Sequence, residues 1–93
     1  MIKSFRKKNL EEFFCYGQRT KVTAELHQRI LRKLDMMHAA ISLEDLVKVP
    51  GNQFHRLKGK RWGEYALHVG GKWYLVFRYN KGDFDDVALE QIH

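Results

Sequence analysis

The chain has 93 residues, with 17 Lys and Arg against 11 Asp and Glu, for a formal net charge of +6. At 44% hydrophobic and 13% aromatic it is too apolar for a disordered tail, yet it has no run of about 18 apolar residues that could span a membrane. Its single Cys15 excludes an internal disulfide and a multi-cysteine metal site, which leaves a one-domain reading over residues 1–93, a reducing cytoplasmic setting and an anionic partner: nucleic acid, an acidic protein or a membrane surface.

The opening residues Ile2 to Arg6 alternate apolar and polar, as a short strand does. No apolar stretch follows the basic Lys3, Arg6, Lys7 and Lys8, so no signal peptide is expected. Asn9 is placed to cap a first helix, with Glu12 in the capping-box position, Leu10, Phe13 and Phe14 as its apolar stripe and Gly17 as its end. Cys15 falls within that helix with no base beside it, which reads as an ordinary helix residue. Thr23 can cap a second helix, in which Leu26, Ile30, Leu34 and Met37 recur on one face and Leu31, Ala40 and Ile41 widen the stripe. Gln28, Arg29, Arg32, Lys33 and Asp35 fall largely outside that stripe, and His27 and His38 read as exposed helix residues. Ser42 starts a short third helix, with Asp45 completing a capping box and Ile41 paired with Leu46 as a hydrophobic staple. Pro50-Gly51 ends it.

From Glu64 the period changes from helical to two, and a three-strand antiparallel meander is predicted. Burial selects the register. An odd, three-residue turn over residues 70–72 pairs Val69 with Trp73, Leu67 with Leu75 and Tyr65 with Phe77. An odd loop after Tyr79 likewise puts Val87 near Phe77 and Leu89 near Leu75. Only this register gathers Tyr65, Leu67, Val69, Trp73, Leu75, Phe77, Val87 and Leu89 on one face. The opposite face carries Ala66, His68, Tyr74, Val76, Arg78, Ala88 and Glu90, a mixture that suggests a partly open cleft. The fold class is α+β: an N-terminal strand and two to three helices packed on one face of a small antiparallel β-sheet.

The positive charge is concentrated in two acid-free blocks. One is Lys3, Arg6, Lys7 and Lys8; the other runs through Lys48, Arg56, Lys58, Lys60 and Arg61, with His55 among them. Brought to one side of the fold, they would track a phosphate backbone. Cleavage of RNA needs a base for the 2′-hydroxyl, an acid for the leaving 5′-oxygen and cations for the charge on phosphorus. His55 and the terminal His93 can serve either proton role, and Lys58, Lys60, Arg61 and Arg78 can hold phosphate. By spacing alone, a solvated loop histidine fits His55 more readily than a catalytic one.

Five segments in order carry a family resemblance: Met1-Ile2-Lys3-Ser4-Phe5, Phe54-His55-Arg56-Leu57-Lys58-Gly59, Gly71-Lys72-Trp73, Phe77-Arg78-Tyr79-Asn80-Lys81-Gly82-Asp83 and Leu89-Glu90-Gln91-Ile92-His93. Over essentially its whole length the chain resembles the HigB-type toxins, also called plasmid maintenance system killer proteins, of the RelE/ParE superfamily. The resemblance implies a RelE-like fold and the toxin of a type II toxin–antitoxin pair. It implies cleavage of mRNA in the ribosomal A site by attack of the 2′-hydroxyl, without metal or other cofactor, and neutralisation by a HigA-type helix-turn-helix antitoxin, with no membrane partner. His55, Lys58, Arg61, Arg78 and His93 become the expected catalytic set; Lys3, Arg6, Lys7, Lys8, Arg56, Lys60, Tyr74 and Glu90 become the expected RNA contacts. The chain departs from the usual family ending Tyr-Glu-Asp-Tyr-His, with Gln91 at the acidic position and Ile92 at the tyrosine, and it has Tyr74 where arginine is common. Those departures would suit a non-catalytic superfamily toxin such as a ParE-like gyrase inhibitor, or a degenerate member that binds RNA or antitoxin without cutting.

Overall fold

Three helices are followed by a four-stranded antiparallel sheet in the computed structural model, which describes residues 1–17 and 24–92. Helix α1, Lys8–Tyr16, buries Leu10 and Phe13 and stops at Gly17, whose left-handed φ of 71° a side chain would resist. It starts two residues earlier than the Asn9 cap requires: Lys7 is the N-cap, with no side-chain hydrogen bond, so the expected capping box does not form. Cys15 is exposed on this helix. Helix α2, Ala24–Ala39, buries Ile30, Leu34 and Met37, as the periodicity requires; the Thr23 cap lies outside the described residues. His27 is half-buried with its ring 5.4 Å from that of Phe13, and exposed His38 accepts a hydrogen bond from Ile2 N–H.

The helical phase is lost at the end of α2, where Ala40 N–H bonds back to Met36 and the chain turns away. Ile41 therefore leaves the stripe and is 77% exposed, which removes the expected staple with Leu46. Its N–H is instead held by the Asp45 carboxylate at 3.0 Å, while Ser42 Oγ caps α3, Leu43–Val47, by accepting from Asp45 N–H. The Ile41 N–H, with donors from Ser42 beside it, favours the ionised form and holds the Asp45 carboxyl below its ordinary value.

Beyond α3, the side chain of Asn52 is wholly buried. Its amide donates to Leu46 O at 2.7 Å, its oxygen accepts from the Lys33 ammonium, and its backbone carbonyl accepts from His68 N–H at 2.7 Å. One residue thus ties α2, α3 and the sheet together. Asn52→Ala removes the shortest hydrogen bond to Leu46 O and the partner of a partly desolvated ammonium. It should lower stability by about 1–3 kcal/mol, measured as a reduced urea midpoint at unchanged slope.

The sheet comprises β1, His55–Arg56; β2, Glu64–Gly70; β3, Trp73–Asn80; and β4, Asp83–Gln91, in that order. Between β1 and β2 a single 3₁₀ turn spans Gly59–Arg61. The fourth strand, β1, comes from the basic segment that reads from sequence only as a loop. Leu67 opposes Leu75, Tyr65 opposes Phe77, and Leu75 opposes Leu89, as burial demands.

Near the turns the predicted pairing is corrected. Gly70, not Val69, opposes Trp73 around a two-residue Gly71-Lys72 turn, and an irregularity between His68 and Gly70 absorbs Val69 as an extra residue. The β3–β4 connection is also two residues, Lys81 and Gly82, both at positive φ (47° and 92°), and parity is restored by an irregularity beside Asp86, at φ 53°. Turn preference and burial are therefore both satisfied, at the cost of two bulges. The N-terminal segment meets the outer edge of β4 through two isolated parallel bridges, Ile2 with Phe84 and Phe5 with Val87. Asp86 lies between them, and its N–H goes to Ser4 Oγ at 2.9 Å instead of to a backbone carbonyl, which interrupts the expected strand.

One sheet face packs on the helices, with Leu67, Leu75, Phe77 and Val87 fully buried beside Ile30, Leu34, Met37 and Leu46. The other face is less open than its composition suggests. Ala66, Val76 and Ala88 form a row across the three long strands and are all buried.

Candidate functional site

The row of small side chains leaves room for an arginine to lie across the sheet. Arg61, at the end of the 3₁₀ turn, makes four hydrogen bonds: Nε and Nη2 donate to Glu64 on β2 at 3.2 and 3.0 Å, and Nη1 and Nη2 donate to Glu90 on β4 at 2.6 and 2.8 Å. Glu64 opposes Arg78 and Glu90 opposes Tyr74 on the central strand, so this bridge crosses β3 near Val76. Arg6, from the N-terminal segment, reaches the same two carboxylates at 2.7 and 2.8 Å. Two cations and two anions form a closed square in which Glu64 is the deepest member, with 8% of its side chain exposed. The Arg61 hydrogen bond is the main reason that the Glu64 carboxyl is pulled down to about 2, with Arg6 adding to it. Glu90 is lowered first by Arg61, and Arg61 is raised by both carboxylates.

Beside this square runs a line of rings. His55 on β1 opposes Ala66, so its imidazole lies on the same face. Its ring is 5.4 Å from that of Tyr74, and the Tyr74 ring is 5.1 Å from that of His68. Each imidazole is oriented by a backbone carbonyl: His55 Nδ1 by Gln53 O and His68 Nε2 by Gly71 O, both at 3.0 Å. A carbonyl only accepts, so the facing nitrogen carries the proton. In the neutral rings this leaves His55 Nε2 and His68 Nδ1 as the acceptors.

Arg78 borders the line on the same face. It is 49% exposed, and its ion pairs with Glu64 and Asp86 are long, at 4.0 and 3.9 Å, so its guanidinium retains donors for a ligand. Lys58, Lys60 and Trp62 crown the basic turn, and Trp62 is 82% exposed. Among the described residues, no three histidine, cysteine or carboxylate side chains come together as a metal would require.

The structure therefore brings His55, Arg61, Tyr74, Arg78 and Glu90 to one face, and it leaves Lys58 and Lys60 exposed at the turn that carries Arg61. Arg61 and Arg6, both expected at phosphate, are occupied by carboxylates. Arg56 faces the other way, its guanidinium 5.9 Å from the Tyr65 ring centre. Lys3, Lys7 and Lys8 are exposed along the N-terminal segment, on the far side of β4. The C-terminus runs on beside β3, where Ile92 N–H donates to Lys72 O at 2.8 Å, and His93 lies outside the described residues. Gln91 opposes Trp73 and alternates away from Glu90, placing it on the helix side. Sequence reasoning assigned no part to His68, Glu64 or Trp62. Alternation alone put His68 beside Tyr74, but no local signal shows that Glu64 shares two arginines.

The chain is similar along nearly its whole length to known proteins. Residues 3–92 match the family model described as the RelE-like toxin of the type II toxin–antitoxin system HigB. A Proteus vulgaris protein named endoribonuclease HigB is 31% identical over 93 residues, covering all of both chains. The Vibrio cholerae toxin HigB-1 is 31% identical over 90 residues, 96% of this chain and 90% of its own. An uncharacterized Haemophilus influenzae protein is 30% identical over 87 residues, 92% of this chain and 86% of its own.

Proposed function

The chain belongs to the RelE-like HigB toxins of type II toxin–antitoxin systems, and we propose that it is an endoribonuclease that cuts mRNA in the ribosomal A site. The observation that carries this reading is the pair of carbonyl-oriented imidazoles, His55 and His68, flanking Tyr74 on the face that also carries Arg78.

The RNA 2′-hydroxyl attacks the adjacent phosphorus. Its proton passes to an imidazole, the 5′-oxygen departs with a proton from a second acid, and a cyclic phosphate remains. His55 presents a free Nε2 and takes one of these proton roles; His93 takes the other, as the family resemblance implies. Arg78 and Lys58 stabilise the charge gathering on the phosphate oxygens. Tyr74, held between two rings, offers a surface for a nucleobase. Arg61 acts through Glu64 and Glu90, holding the face flat and the C-terminal strand in place. The partner that blocks the face is a HigA-type helix-turn-helix antitoxin, acidic where it covers the exposed lysines.

The decisive experiment is mapping of mRNA 5′ ends after expression, together with cleavage assays on purified ribosome–mRNA complexes and on naked mRNA. New ends that depend on the ribosome and vanish with the antitoxin are expected. Unchanged ends, with a DNA-damage response preceding the halt in translation, would instead place the target at DNA gyrase.

Trp62 adds a separable expectation. An indole this exposed beside Lys58 and Lys60 suits base stacking, worth about 1–3 kcal/mol per base. Trp62→Ala should weaken binding of a non-cleavable single-stranded RNA by roughly fivefold or more at an unchanged salt slope, because stacking releases no counterions. Anisotropy titrations at several salt concentrations separate this from loss of a lysine, which flattens the slope.

A further inference from the structure

A second cationic feature lies outside the face just described. At the edge of β2, beyond its short pairing with β1, a hollow opens between the sheet and α2, lined by Arg29, Arg32, Lys33, Met36, Gly51, His68 and Val69. Three side chains are cationic, one is an imidazole, and no carboxylate lines it. None of the ion pairs among the described residues uses Arg29, Arg32 or Lys33. The partner of Lys33 is the neutral amide of Asn52, and burial lowers the affinity of Lys33 for its proton. An uncompensated cation in partial burial is costly unless an anion completes it. Arg29 also borders the neighbouring hollow at Gly70, where a Cβ would meet Leu26 Cδ2 at 2.8 Å and Arg29 Nη1 at 3.1 Å, so the missing side chain there leaves room for the arginine against the sheet.

His68 connects this hollow with the RNA-cleaving face, since its ring touches Tyr74 on one side and lines the hollow on the other. The geometry points to a phosphate-binding subsite in this hollow, which seats a backbone phosphate of the same RNA strand after it passes Tyr74 and rounds the β2 edge. Two arginines and a lysine lining one concavity match in charge and donor number the several oxygens of a phosphodiester. An acidic peptide strand is less well served. The backbone N–H of His68 at this edge is already bonded to Asn52 O, so a partner strand loses that donor. The inference rests on the RNA reading and extends it to a longer footprint.

The test uses the full chain and a single-stranded oligonucleotide fully 2′-O-methylated to prevent cleavage, followed by backbone-amide NMR and anisotropy. In the unsubstituted protein, RNA should shift both the face amides of Ala66, Val76 and Ala88 and the hollow amides of Gly51 and Val69. In Arg29→Gln/Arg32→Gln the hollow shifts should vanish while the face shifts persist. Affinity should fall by about fivefold, and the slope of log affinity against log salt should flatten by about 0.7, for one phosphate lost. The single variant Arg32→Gln, at an exposed position, should show the same trend if the double variant loses thermal stability. RNA shifts confined to the face amides, or an unchanged salt slope in the variants, would overturn the subsite. RNA shifts at neither set of amides would overturn the RNA reading itself and the subsite with it. Hollow amides that answer to a polyglutamate peptide but not to RNA would assign the hollow to an acidic protein and overturn the phosphate subsite alone.

Discussion

Replacing His55 by alanine is expected to lower RNA cleavage by about 10²–10⁴-fold, the range a positioned proton-transfer group supplies. Stability should stay within about 0.5 kcal/mol of the unsubstituted chain, as for other exposed positions away from structural features. The two expectations separate because of where His55 sits. Its side chain is exposed, its polar contact is with the Gln53 carbonyl, and its ring meets the edge of Tyr74. None of these supports the core. Single-turnover cleavage of ribosome-bound mRNA and urea unfolding of the same preparations would measure both. His55→Asn refines the test, because an amide can still donate to Gln53 O but cannot shuttle a proton at neutral pH. It should lose cleavage to a similar extent while retaining RNA affinity. Full activity in either variant would remove His55 from the reaction. Deletion of His93 is the matching experiment at the other end of the chain.

The second large effect concerns stability. Glu64→Gln should destabilise the fold by up to about 3 kcal/mol, because it removes the most buried of the two anions that hold Arg6 and Arg61. The size follows from the carboxyl itself, which is drawn from 4.5 to about 2 in the folded protein, with each unit worth about 1.4 kcal/mol. The sign follows from proton uptake. As pH falls through the ordinary carboxylate range, the unfolded chain takes up the proton while folded Glu64 stays charged, so stability declines with falling pH. The contribution is complete above about pH 4.5 and is lost as pH approaches 2. Glu64→Gln should therefore lower stability at neutral pH and flatten the acid limb of a stability–pH curve between those values. An acid limb identical to that of the unsubstituted chain would show that Glu64 is not held this way. Arg61→Ala should lose stability as well and release Glu90 toward ordinary carboxylate behaviour, whereas a direct phosphate ligand would lose RNA binding without that change.

The division between these two effects defines the site. Arg61 and His55 stand six residues apart and belong to one basic segment, yet Arg61 is bound to two carboxylates and His55 lies exposed beside Tyr74. The same holds for the cations of the opening segment. Arg6 is drawn into the square, and Lys3, Lys7 and Lys8 remain exposed. The net charge of +6 thus overstates what the central face presents to an anion, because Arg6 and Arg61 are paired there while exposed cations such as Lys3, Lys7 and Lys8 lie elsewhere.

What the amino-acid sequence determined by itself was whatever depends on periodicity. The α2 stripe of Ile30, Leu34 and Met37, the change of period at Glu64, and the pairing of Leu67 with Leu75 and Tyr65 with Phe77 are all local patterns of burial, readable without partners. The ordered motifs were enough to point to the toxin family for the same reason: they are strings of neighbours. Tertiary structure decided whatever depends on which distant residues meet. Two-residue turns and an odd hydrophobic register conflict in sequence, and only the assembled sheet shows the bulges at Val69 and Asp86 that reconcile them. Arg6 is 58 residues from Glu64 and 84 from Glu90, and Arg61 is 29 from Glu90. No local pattern reports such pairings, because an ion pair leaves no periodic trace. Basic charge could therefore be counted from the sequence, but which of its cations are taken up in holding the fold, Arg6 and Arg61, was decided by the geometry of the folded sheet.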